Sequence, residues 1–191
     1  MTASIESILQ VELQSLYRID GCPPVDPFRV RAPEHGREAL LVRHAEDGVV
    51  DLGLHLAPEV RASAEAALVS REVDLDGLCA AIEGVSHFVY FTRWTEHRPM
   101  SRLELELQAE IDKFLVLWSS LDGRALFLRL FEEVRLADED RYRVAHREGR
   151  RYASWLLRQR QAGRTAEALE DARRLYRSPL PQKLDRIARA A

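Results

Sequence analysis

The stretch DLDGLCAAIEGVSHFVYFTRWTEHRPMSRLELELQAEIDKFLVLWSSL, Asp74 to Leu121, decides the fold. In its first half Leu75, Leu78, Ile82, Val85, Phe88 and Val89 recur at three- and four-residue steps, the period of a helix that faces a core. Phe91 and Trp94 continue the apolar load. The second half repeats the pattern: Leu103, Leu107, Ile111, Phe114 and Trp118 form one stripe. Glu104, Glu106, Gln108, Glu110, Asp112 and Lys113 are expected on the remaining, solvent-facing surface. Between the halves, Pro99 has no amide hydrogen and pushes Arg98 toward extended geometry, so a turn is expected there. Ser101 followed by Glu104 fits a capping box, with Met100 and Leu105 placed as its hydrophobic staple. The stretch therefore predicts a helical hairpin, Asp74 to about His97 and Ser101 to about Leu121.

Upstream, Ile5, Ile8, Leu9, Leu16 and Tyr17 give an amphipathic helix capped by Thr2 or Ser4, which the proline-rich segment Gly21 to Pro27 stops. From Phe28 to Leu56 the apolar period changes to two. Phe28 and Val30 suggest a short strand. Leu40 to Val42 lead into Asp47-Gly48, a tight-turn dipeptide, and Val50, Leu52, Leu54 and Leu56 alternate beyond it. A small antiparallel sheet with one buried face is expected. Pro58 then suits the first turn of a short helix, and Arg71 to Asp76 links it to the hairpin.

Downstream, Ala125 to Leu136 is apolar on most of its circumference and predicts a buried helix. Asp138, Glu139 and Asp140 favour the positive end of the next helix, Asp140 to Gln161. At 100° per residue its Tyr142, Ala145, Gly149, Tyr152, Ala153 and Leu156 share one sector, and Arg143, Arg147, Arg150, Arg151 and Arg158 share the sector nearly opposite. Thr165 opens a further helix with Leu169, Ala172, Leu175 and Tyr176 inward. Past Ser178 to Pro181, Gln182 to Ala190 makes a last one with Leu184 and Ile187 inward. The expected architecture is α+β, mainly α, in one domain: residues 1–70 a helix plus a small sheet, residues 71–191 a helical bundle.

The 191 residues are 46% apolar and 31% charged, the balance of a soluble globular chain, and no apolar run approaches the roughly 18 residues of a membrane span. With Glu6 and Glu12 inside its first amphipathic segment the chain has no signal-peptide pattern, and a cytoplasmic location is expected. Cys22 and Cys79 are too few for a disulfide framework or a thiolate metal site. The net charge of −3 conceals an asymmetry: residues 1–140 hold 14 Lys/Arg against 26 Asp/Glu, whereas residues 141–191 hold 14 against 5.

That asymmetry concerns partners more than fold. The arginine sector itself lacks acids, so its like charges would be relieved by an acidic protein surface or by self-association, and alternatively by a phosphate backbone. Glu83 and His87, one helical turn apart, are the candidate metal ligands, with Glu104 and Gln108 or Asp112 as possible contributors from the facing helix. Glu-x-x-x-His is neither the Glu-x-x-His of di-iron bundles nor a zinc-protease motif, so a local ion pair is the simpler reading. No Gly-x-Ser-x-Gly elbow, P-loop or dinucleotide fingerprint occurs, and Ser86 and His87 point about 100° apart on a helix and so cannot share a proton. No cofactor is expected. The leading reading is a non-enzymatic adaptor or small regulator docking an acidic partner through the basic C-terminal face. Nucleic-acid association through the same face is second, and a metal-dependent hydrolase between the central helices third.

Overall fold

A computed structural model describes residues 3–44, 50–69, 74–118, 121–133 and 140–190. The Asp47-Gly48 turn, the acids Asp138 and Glu139, Ser119-Ser120 and most of the Arg71 to Asp76 link lie outside them. Among the described residues, eight helices and a three-stranded sheet follow in the order α1 (Ile5–Tyr17), β1 (Arg29–Val30), β2 (Glu38–His44), β3 (Val50–Leu56), α2 (Pro58–Val69), α3 (Leu75–Trp94), α4 (Arg102–Trp118), α5 (Gly123–Phe131), α6 (Asp140–Gln161), α7 (Thr165–Arg177) and α8 (Leu180–Ala190). The architecture is α+β and mainly α, as the periodicities predict.

The central hairpin starts where its caps place it. Asp74 accepts the Asp76 amide at 3.2 Å ahead of α3, and Ser101 Oγ accepts the Glu104 amide at 3.2 Å ahead of α4. Only half of the capping box forms, because the Glu104 carboxylate turns away to Tyr90 and Arg98. Both apolar stripes are buried, with Ile82, Val85, Phe88, Leu107 and Phe114 fully enclosed. The opposite side of α4 corrects the sequence reading. Glu104, Gln108 and Asp112 are 2, 1 and 1% exposed, because α4 packs against α3, α6, α5 and α1 rather than lying on the surface.

The sheet has the order β1-β3-β2, with β2 antiparallel to β3 and Leu40 opposite Leu54. It is mixed rather than purely antiparallel. The connection after β1 runs through a turn at Pro33–His35 and carries the chain past the place β3 will occupy, so β1 ends up parallel to β3. Leu54 and Leu56 pack under α3 at Gly84, where an added Cβ would lie 2.8 Å from Leu56 Cδ2. Gly149 serves α6 likewise: a Cβ there would meet Glu110 Cβ at 2.8 Å, so glycine lets α6 approach α4 closely.

Two downstream expectations change. α5 ends at Phe131 and buries only Gly123, Leu126 and Phe131, leaving Leu128 43% exposed, so it is amphipathic and not enclosed. In α8, which begins at Leu180 with Pro181 inside its first turn, Leu184 and Ile187 pack against the core as expected, and Lys183, which the apolar pattern leaves outside, is fully buried beside them.

Lys183 completes a polar network inside the core. Its ammonium donates to Gln108 Oε1 and lies 4.4 Å from the Tyr90 ring centre. Gln108 Nε2 donates to Asp112 Oδ1 at 2.7 Å, Ser86 Oγ donates to Asp112 Oδ2 at 2.6 Å, and the Tyr17 hydroxyl donates to the same carboxylate. Burial pulls the Lys183 pKa down to about 7 and pushes that of Asp112 up. Because three donors from α1, α3 and α4 converge on one buried carboxylate, Asp112→Ala should cost about 3–5 kcal/mol in urea denaturation. Lys183→Met keeps the volume but leaves the buried Gln108 Oε1 without its donor, and should cost about 1–3 kcal/mol. A cost below about 1 kcal/mol for Asp112→Ala would show that the network does not hold these helices together.

Candidate functional site: a groove between the sheet and the helical hairpin

β2 is an edge strand. Its Leu40 and Val42 face the same way as Leu52 and Leu54 of β3, and α3 covers that face only near Leu54 and Leu56. The uncovered end opens a groove of about 1250 Å³. Phe91 of α3 and Met100 and Leu105 at the start of α4 supply its facing apolar wall. Arg102, Arg141 and Tyr142 line it beside them, and Glu38, Glu83, His87 and Glu106 also line it.

The charged lining belongs to a cluster running along the seam between α3, α4 and α6. Glu83 Oε2 accepts from Lys113 Nζ at 2.9 Å, and Lys113 also bonds Glu110. Glu110 Oε2 lies 3.1 Å from His146 Nδ1 on α6. Glu106 stands between Arg141 and His87, with Oε1 3.7 Å from Arg141 Nε and Oε2 3.6 Å from His87 Nε2. At 3.6 Å the His87 contact is electrostatic rather than a hydrogen bond, and Nε2 is buried with no hydrogen-bond partner.

The local field follows from these neighbours. Burial, then Glu83, push the Glu38 pKa up to about 7. Burial pulls His87 down, but Glu106, Glu83 and Glu38 outweigh it and leave its pKa raised. Burial also opposes the charge on Glu110, yet Lys113 and His146 hold its pKa below the usual carboxylate range.

The sequence-derived metal candidates are thus split. Glu83 and His87 come together as their spacing requires, but Glu104 and Gln108 point into the buried network on the other side of α4. The carboxylate that joins Glu83 and His87 is Glu106. It sits two residues from Glu104, about 200° around the helix. Reading α4 as having one buried stripe and one wet face hid the fact that its polar residues serve two separate environments.

The arginine sector is less bare than its spacing suggests. Glu148, only 7% exposed in its side chain, accepts from Arg147 Nε at 2.8 Å and from Arg151 at 3.1 Å. Arg150 Nε donates to Glu132 at 2.8 Å, Arg143 pairs with Asp140, and Arg158 donates to Ser154 Oγ at 3.1 Å and to the Ala190 carbonyl at 3.2 Å. Glu148 lies outside the arginine sector around the helix yet reaches it, standing next to Arg147 and three residues before Arg151.

No protein-family model, curated protein or solved structure matches the chain. No described helix is long and apolar enough to cross a membrane.

Two outcomes follow. In the chelator-treated protein Glu38 holds its proton more tightly folded than unfolded, so its contribution to stability is complete below its ordinary value of 4.5 and is lost as pH rises through about 7. Between pH 5 and 8 the parent should therefore lose roughly 1–3 kcal/mol more stability than Glu38→Gln. Parallel pH profiles for the two would remove Glu38 as the cause. Reversing Arg147 and Arg151 together to Glu leaves the buried Glu148 facing like charges, and a loss of roughly 1–3 kcal/mol is expected in urea denaturation. An unchanged denaturation midpoint would return these arginines to the role of a solvated face.

Proposed function

We propose that the chain is a non-enzymatic interaction protein whose groove takes an extended, acidic segment of a partner protein. The observation that carries this reading is the edge strand β2. Its outer edge pairs with no strand among the described residues, and its half-exposed Leu40 and Val42 line an open groove. An extended segment would gain main-chain hydrogen bonds from such an edge and place alternate apolar side chains against it. At one end of the groove Arg102 suits an acid on the segment: it lines the groove, is exposed and has no ion pair among the described residues.

The arginine face of α6 supplies a second surface of the same sign. The side chains of Arg143, Arg147 and Arg150 remain 56, 65 and 48% exposed even while paired, and an acidic protein surface or a phosphate backbone would compete for them. A phosphate partner would be marked by a log affinity that falls linearly with log salt.

Synthetic eight-residue peptides that alternate valine with glutamate, or valine with lysine, test the groove by fluorescence anisotropy. The glutamate peptide should bind with a Kd of about 10–100 µM, and Arg102→Glu or Val42→Lys should weaken it at least tenfold, about 1.4 kcal/mol. Equal binding of the lysine peptide, or indifference to both substitutions, would refute the groove reading.

A further inference from the structure

The groove contains a second feature that the peptide reading does not require. Glu83, His87 and Glu106 each present one ligand atom, and these atoms lie within 4.8 Å of one another. The three come from two helices already fixed against each other by the buried stripes, so backbone placement of the cluster does not depend on any ligand. We propose that Glu83, His87 and Glu106 bind a zinc-class divalent cation in the groove.

The geometry of each ligand points the same way. His87 Nε2 is buried and lacks a hydrogen-bond partner, a costly state for a ring nitrogen unless something else engages it. Its separation of 3.6 Å from Glu106 Oε2 is too long for a hydrogen bond. It is close to the roughly 3.3 Å edge of a tetrahedron built with metal bonds of about 2.0–2.1 Å. Glu83 is held from outside by Lys113, and Glu106 by Arg141, the kind of outer contact that orients a ligating carboxylate.

Charge balance favours a cation over further protein neighbours. Within the cluster, Glu83, Glu106 and Glu110 stand against two permanent cations, Lys113 and Arg141, with His87 and His146 beside them. One imidazole and two carboxylates are a borderline-hard donor set, suited to zinc or manganese rather than to a soft ion. Three protein ligands leave a coordination position open, and all three residues line the groove from which a further ligand would come. A cation there would also supply positive charge to the acidic segment proposed above, although the site does not rest on that reading.

The test uses the full chain, stripped with chelator and titrated with zinc chloride or magnesium chloride by calorimetry. Zinc should bind one per chain, with an affinity at least 100-fold above that for magnesium, and should raise the melting temperature. His87→Ala and Glu106→Gln should each lower zinc affinity at least tenfold, whereas His97→Ala, at an exposed position on the connection between the hairpin helices, should leave it unchanged. In the parent protein, cobalt(II) should shift the His87 ring resonances paramagnetically, a readout that needs no variant to fold. Absence of saturable zinc binding, equal affinity in His87→Ala, or unshifted His87 resonances would overturn the site. Peptide binding in chelator separates the two readings, because loss of the metal site leaves the Arg102-dependent affinity standing.

Discussion

A carboxylate buried inside a helical core is tolerable only if its lone pairs are met, and Asp112 meets them with groups from three helices: Tyr17 of α1, Ser86 of α3 and Gln108 of its own α4. This constraint fixes more than one contact. Gln108 in turn accepts from Lys183, which draws α8 onto α4, and Tyr90 beside Lys183 donates to Glu104 at 2.6 Å at the start of α4. Tyr17 stacks on Tyr176 of α7 at 4.0 Å between ring centres. The first and last helices of the chain are therefore locked to the central hairpin by directional bonds, where apolar packing alone would allow sliding.

The charge asymmetry along the sequence becomes, in part, a folding device. Arg173 donates to the Leu16 carbonyl at 2.8 Å and Arg177 to the Tyr17 carbonyl at 2.9 Å, at the C-terminal end of α1, while Arg160 reaches the Trp118 carbonyl at 2.9 Å at the end of α4. The last carbonyls of a helix lack internal partners and carry its negative dipole end, so guanidinium groups are well matched to them. Arg18 pairs with Glu170, and Arg141 and His146 meet Glu106 and Glu110. The basic C-terminal region thus closes over the acidic region before it, which accounts for charges that, read along the sequence, suggest an external partner.

One helical hairpin serves two environments because neighbouring residues on a helix diverge by about 100°. Ser86 turns to Asp112 in the core, and His87, next in the chain, turns to Glu106 in the groove. On α4 the same division separates Glu104, Gln108 and Asp112 from Glu106, Glu110 and Lys113. Structural polarity and the candidate site are therefore close in sequence but apart in space, with the packed stripes of α3 and α4 holding both. The groove itself exists because α3 covers only part of the sheet face and β1 is two residues long.

The local signals determined the elements: the hairpin with its cap at Ser101, β3 from Val50, α2 from Pro58, and α6 from Asp140 to Gln161. They did so because alternation and capping are local chemistry that a short window contains. Which polar residues are buried was decided only by tertiary structure. Local periodicity cannot say that α1, α6 and α8 will cover the polar side of α4, that Lys183 will be buried, or that β1 will run parallel to β3. The same holds for the site. The spacing of Glu83 and His87 brought out half of the cluster, while Glu106 joined it only because the crossing of two helices sets which rotation of α4 faces α3, a quantity fixed by packing over the whole core.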